Sequence, residues 1–134
     1  MNKMEKWQHK WFGVWIENGT AYGMCPSITE FIDKKAADYQ DKTQIAEYLE
    51  TAQVVATTSR LRFPCVLTGK KFMGSLSYRT DGEWLWPDDL AYYLREHHVR
   101  LPEKMLEVIR RNNYQPPDVD KDKIKDLEWP PTTP

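Results

Sequence analysis

The 134-residue sequence predicts an α+β fold: a single domain whose antiparallel sheet of four to six strands carries helices packed on one face. Three observations point there. Some runs of β-branched and aromatic residues alternate at period two, other stretches repeat apolar residues at i, i+3 and i+4, and the two kinds are grouped along the chain instead of alternating. The order reads as two strands, two helices, three or four strands and two helices over residues 1–115, and a polar, proline-rich tail over 116–134. At this length a globular chain buries roughly 68% of the surface its unfolded form exposes, so a disulfide or metal staple is not required.

WFGVWIE, Trp11 to Glu17, is followed by Asn18-Gly19 and then TAYGM from Thr20, which predicts a hairpin because Asn-Gly accepts the two positive φ values of a type I′ turn. Pro26 stops that strand. Ser27 and Glu30 match a capping box ahead of a stripe at Ile28, Phe31 and Ile32, so a helix is expected to begin there and reach toward Tyr39. A second helix is expected from about Lys42 to Ala52, with Asp41 as its N-cap and Ile45, Tyr48, Leu49 and Ala52 on its apolar face.

VVATTS, Val54 to Ser59, reads as a strand. Cys65–Leu67 and Phe72–Arg79 flank the polar loop Thr68-Gly69-Lys70-Lys71 as a second hairpin, and Thr80-Asp81-Gly82-Glu83 turns into Trp84-Leu85-Trp86. Alternation places Leu76 and Tyr78 on one face, with Ser75 and Ser77 on the other. Pro87-Asp88-Asp89 opens a helix bearing Leu90, Tyr93, Leu94 and His97, and Leu101-Pro102 opens the last one, which ends near Asn112-Asn113.

Composition excludes several functions. Nineteen Lys+Arg against 20 Asp+Glu leave a net charge of -1, unlike a nucleic-acid binder that relies on bulk positive charge. Arg60, Arg62, Lys70 and Lys71 could form a small basic patch, though scattered charges usually guard a sheet edge. Cys25 and Cys65 fit no zinc spacing and are read as reduced thiols. The charged, aromatic start lacks the apolar core of a secretory signal and no run is long enough for a membrane span, so the expected location is cytoplasmic. No H-E-x-x-H, G-x-S-x-G, phosphate-cradling glycine loop or deaminase signature is present, and neither an enzyme nor a cofactor is expected.

Asp81, Glu83, Asp88 and Asp89 cluster around Trp84-Leu85-Trp86. Each has an ordinary structural use: Asp81-Gly82 makes a turn and Asp88 or Asp89 caps a helix, while a carboxylate left over could meet a cationic partner. His97 is expected to cap its helix C-terminus. Six Trp, seven Tyr and four Phe either line a core covered on both sides, with Trp129 on the second face, or form an exposed interface.

TDGEWLWPDDLAYYL, Thr80 to Leu94, with EHHVRLPEKMLEVI after it, resembles small bacterial immunity proteins of contact-dependent or secreted toxin systems, over roughly Arg60 to Tyr114. The resemblance implies a cytosolic α+β protein that binds a protein toxin domain and blocks it by occlusion, with no reaction of its own. Trp84, Asp88, Asp89 and Tyr92 are the expected partner contacts, an aromatic anchor with charged neighbours. The alternatives are a small-ligand binder or enzyme with an aromatic-lined pocket, using His97, His98 or the carboxylates at its mouth, and a homo-oligomer joined through an exposed Trp face.

Overall fold

A computed structural model describes residues 7–133, the side chain of Arg60 excepted. Helix α1, Lys42–Thr51, buries Ile45, Ala46, Tyr48 and Leu49 at the spacing of one face. Ala52 then turns extended at ψ 158, and the chain enters β1, Gln53–Leu61, without a loop. Strand β1 pairs antiparallel with β2, Ser75–Thr80, which pairs antiparallel with β3, Leu85–Pro87, in the order β1-β2-β3. Gln53 lies opposite Thr80 and Leu61 opposite Ser75, with irregularities after Val54 and Thr57 that bend the outer strand. Helices α2, Leu90–His97, and α3, Glu103–Arg111, follow, then a single turn, α4, Lys121–Ile124.

The pleat of β3 divides the core. Trp84 and Trp86 join Phe12, Trp15, Tyr48, Tyr93, Leu106 and other helical residues in one cluster. Leu85 points the other way, to Trp11, Val14, Leu76, Tyr78 and Leu127. Helices cover the first face, and the N-terminal segment with residues 119–133 covers the second. There the Gln53 amide donates to Val119 O and accepts from Val119 N, and Glu128 accepts from Lys10 N. Trp129, 43% exposed, lies edge-on to Tyr78 at 5.6 Å. Of the two readings of the aromatic surplus, the covered core holds for Trp11, Trp15, Trp84 and Trp86, which are all buried. At about 25 cal/mol per Å² and some 150–250 Å² per ring, each is worth roughly 4–6 kcal/mol of transfer.

The sheet has three strands, not four to six, and the missing ones have identifiable causes. The N-terminal hairpin does not form. Residue 11 makes one parallel bridge to Leu85, closed by Phe12 N to Leu85 O and Leu85 N to Lys10 O. Gly13 then adopts φ 106 with Pro87 so close that a Cβ would sit 3.0 Å from its ring, which turns the chain off the sheet. Asn18 folds back, its Oδ1 accepting from Trp15 N at 2.8 Å, and 3₁₀ turns at Ile16–Asn18 and Thr20–Tyr22 replace the paired strands. Cys65–Leu67 is likewise a turn, closed by Gly69 N to Cys65 O at 2.8 Å. The expected helix at Ser27 is one 3₁₀ turn, Ile28–Glu30, because the chain pairs next with 98–100 through an Ile32–Val99 bridge and Arg100 N to Phe31 O.

Candidate functional site

The start of α2 places three of the expected contact residues together. Pro87 ends β3, and Asp88 N donates to Ser77 O at 2.9 Å, which fixes the corner. Asp89 occupies the N-cap position, but with φ -87 and ψ -3 its backbone is already helical and its side chain makes no capping bond. Capping needs an extended residue whose side chain folds back over the first turn. The expected capping use of these carboxylates is therefore not realised.

They form the floor of a cleft of about 280 Å³ between α1, α2 and the loop after β1. Arg62 Nη2 donates to Asp88 Oδ2 at 2.8 Å, while Asp88 Oδ1 and Asp89 Oδ1 are buried without a hydrogen-bond partner among the described residues. Asp89 is only 5% exposed. Burial, reinforced by the charge of Asp88 and only partly opposed by Arg62, pushes the Asp89 carboxyl up to about 7. Burial also raises Asp88, against the pull of Arg62. One wall is aromatic, Phe72 edge-on to Tyr92 at 4.8 Å. The rim carries Glu96 and the Glu50–Arg95 ion pair.

Tyr92 also belongs to a second group behind the cleft. Its hydroxyl lies 2.9 Å from His97 Nε2, which is 3.6 Å from Cys65 Sγ. Burial pushes the Cys65 thiol up, but the hydroxyls of Thr68 and Tyr92 and the backbone N–H groups of Leu67 and Thr68 outweigh it and leave the thiol at about 7. Tyr93, one residue on, accepts from Val66 N at 3.0 Å and pins the same loop. Cys25, in the opposite cluster, is raised by burial alone. Sequence reading treated Cys65 and His97 separately, because 32 positions divide them and no spacing rule joins them.

Trp84 is not part of either group. It is 0% exposed, its backbone N donates to Asp81 Oδ1, and its ring offers no surface to a partner. Asp81 makes the expected turn. The basic patch is not assembled: Arg62 turns inward to Asp88, Lys70 Nζ lies 5.9 Å over the Tyr92 ring, and the Arg60 side chain lies outside the described residues. His98 closes α2 in the left-handed region at φ 56 and faces a separate recess beside Lys34 and Asp38.

A larger recess of about 750 Å³, between Trp7, Trp11, Met24 and Phe31, is lined mainly by apolar groups and lies away from the buried carboxylates. Among the described residues no group of three or more His, Cys, Asp and Glu side chains could hold a metal ion, and no helix is long and apolar enough to cross a membrane. No protein-family model, no curated protein and no solved structure matches the chain.

Proposed function

We propose that the chain is a protein-binding module of the toxin-neutralising kind, which docks its partner over the cleft beside α2 and inhibits it by covering its working surface. The observation that carries this reading is the open cleft floored by the neighbouring carboxyl groups of Asp88 and Asp89, whose Oδ1 atoms lie buried beneath its surface. Around it stand the features of an interface anchor, the half-buried Tyr92 and Phe72 rings with charges at the rim. Met73, next in the chain to Phe72, is 92% exposed. At about 280 Å³ the cleft falls below the ~300–1,000 Å³ of typical small-ligand pockets.

The test is protection. Where the product of the neighbouring upstream gene arrests growth, cells producing it should grow when the chain is co-produced, and should lose that growth with Tyr92→Ala or Glu96→Arg at unchanged unfolding midpoints. Growth that does not depend on the chain, or that both variants leave intact, would reject docking over this cleft.

A second reading, an enzyme with a cysteine nucleophile, is favoured by the 3.6 Å separation of Cys65 and His97 and by a thiol near neutrality. Cys65 is, however, only 2% exposed. Iodoacetamide labelling of the native protein at pH 7, read by mass spectrometry, separates the two. Catalysis requires Cys65 to react about tenfold faster than a free thiol, as its larger thiolate fraction allows, whereas a structural Cys65 reacts more slowly than glutathione.

A further inference from the structure

We propose that the recess between residues 33–38, the start of α1 and the end of α2 binds a small hydroxylated phosphate ester, its phosphate held by Lys34, Lys35 and Lys42 and a hydroxyl by Asp38. This goes beyond the protein-binding reading and shares no residue with the cleft beside α2.

The backbone brings the cations together. Asp33 N donates to His98 O at 3.1 Å, which joins the segment after the Ile32–Val99 bridge to the end of α2. Asp33 then closes a turn, with Ala37 N donating to its O at 2.8 Å and Ala36 N to its Oδ1 at 3.1 Å, so Lys34 and Lys35 stand on that turn beside His98. Lys42 enters from the first position of α1. The recess they line together with Asp38 measures about 410 Å³. Lys34 and Lys35 are exposed and Lys42 and His98 half-buried, so a solute can reach them.

Their charges are not answered within the fold. Arg62, Arg95, Arg110 and Arg111 are each held by a carboxylate, whereas the side chains of Lys34, Lys35, Lys42 and His98 make no hydrogen bond or ion pair among the described residues. Asp41, the carboxylate next to Lys42 in the chain, is engaged by Arg110 and the Tyr114 hydroxyl. Asp33 does not line the recess. Three ammoniums therefore face one carboxylate, Asp38, in a chain whose net charge is -1.

A phosphate monoester brings close to two negative charges and three acceptor oxygens, which suits ammoniums arriving from different segments, each a point charge on a flexible stem. A carboxylate ligand would bring one charge. A nucleic acid depends on bulk positive charge, which this chain lacks. The volume exceeds that of a phosphate alone and falls in the ~300–1,000 Å³ range of small-ligand sites. Asp38 repels a bare anion but accepts a hydroxyl, so it favours a ligand that carries both groups.

The experiment follows the backbone amide resonances of the full chain by NMR while ribose 5-phosphate, inorganic phosphate or ribose is added. Ribose 5-phosphate should shift the resonances of 33–38, 42 and 98 with a Kd of about 1 mM, inorganic phosphate should bind about tenfold more weakly, and ribose should shift nothing. Lys42→Gln should weaken the ester about tenfold, the loss of one charge-assisted contact. In Asp38→Ala the advantage of the ester over inorganic phosphate should disappear. Unfolding midpoints equal to the parent's show that both variants fold. Equal binding of phosphate and ester by the parent would mean an adventitious ion only and would overturn the inference. So would shifts that map elsewhere, no shift at all, or binding that Lys42→Gln leaves intact.

Discussion

Two buried acidic regions bracket strand β3, and they are finished to different degrees. At the turn before it, Asp81 has every oxygen engaged: Oδ1 accepts from Glu83 N at 2.9 Å and Trp84 N at 2.8 Å, and Oδ2 accepts from Tyr48 OH at 2.8 Å. Tyr48 in turn accepts from Asn112 Nδ2 at 3.0 Å, which ties the turn to the end of α3. At the corner after β3, Asp89 is buried to a similar extent, yet its Oδ1 has no such bond and its capping position is unused. The same side chain, at the same depth and a few residues apart, is in one place a strut and in the other a remainder. A carboxylate consumed by the fold contributes stability, whereas one left over costs stability and has to be explained by a task.

The largest expected effect tests the strut. Asp81→Ala leaves the buried Tyr48 hydroxyl without an acceptor and the buried Trp84 amide without a partner, and frees the part-buried Glu83 amide, which should cost about 3 kcal/mol at roughly one kcal/mol per group. A urea midpoint lowered by less than the equivalent of 1 kcal/mol would erase the distinction between the two regions.

The next effect tests the remainder, and its sign is opposite. The Asp89 carboxyl sits at about 7 in the folded chain and near its ordinary value when unfolded, so between those limits the folded state binds the extra proton. Stability from this group is therefore complete at pH below about 4 and falls as pH rises toward 7, by about 2 kcal/mol between pH 5 and 7. Asp89→Asn removes that slope and should leave the protein as stable as, or more stable than, the parent at pH 7. Unfolding measured at pH 5, 6 and 7 for both proteins decides it. A parent whose stability rises over this range contradicts a buried, unpaired Asp89.

How much of this was legible in the sequence follows the same division. The Asp81-Gly82 turn was readable because that dipeptide satisfies its own backbone locally, and α1, α2 and α3 were readable because their apolar stripes are local signals, as are Asp41 and Pro102 before α1 and α3, whereas Pro87, read as the opening of α2, ends β3 and leaves the N-cap position to Asp89. The N-terminal hairpin was misread because its strongest local cue, Asn18-Gly19, is overridden by a tertiary one, the close approach of Gly13 to Pro87. The cleft was half legible. Asp88, Asp89 and Tyr92 are neighbours in the chain, so sequence could group them. That Asp89 does not cap depends on a ψ of -3, which no residue pattern reports, and Arg62 and Phe72 arrive through the β1–β2 connection. Trp84 was grouped with them by proximity along the chain, but the pleat of β3 sends it into the helical core.

The smallest effect compares two phenols. Tyr48 and Tyr92 each hydrogen-bond a titratable neighbour, Asp81 in one case and His97 in the other, so the local chemistry alone would give Phe substitutions similar costs. Their surroundings differ. Tyr48 is wholly buried, and removing its hydroxyl strands Asp81 Oδ2 in the core and takes a partner from the half-buried Asn112 amide, at about 1.5 kcal/mol. Tyr92 is half-buried at the cleft, so in Tyr92→Phe water can take over the bond to His97, and the change should stay within about 0.5 kcal/mol. Matched urea titrations of the two variants measure the difference. If Tyr92→Phe proves as damaging as Tyr48→Phe, then the Tyr92–His97–Cys65 group is itself a strut of the fold, and the boundary between the finished and unfinished regions lies at the floor of the cleft and not at its wall.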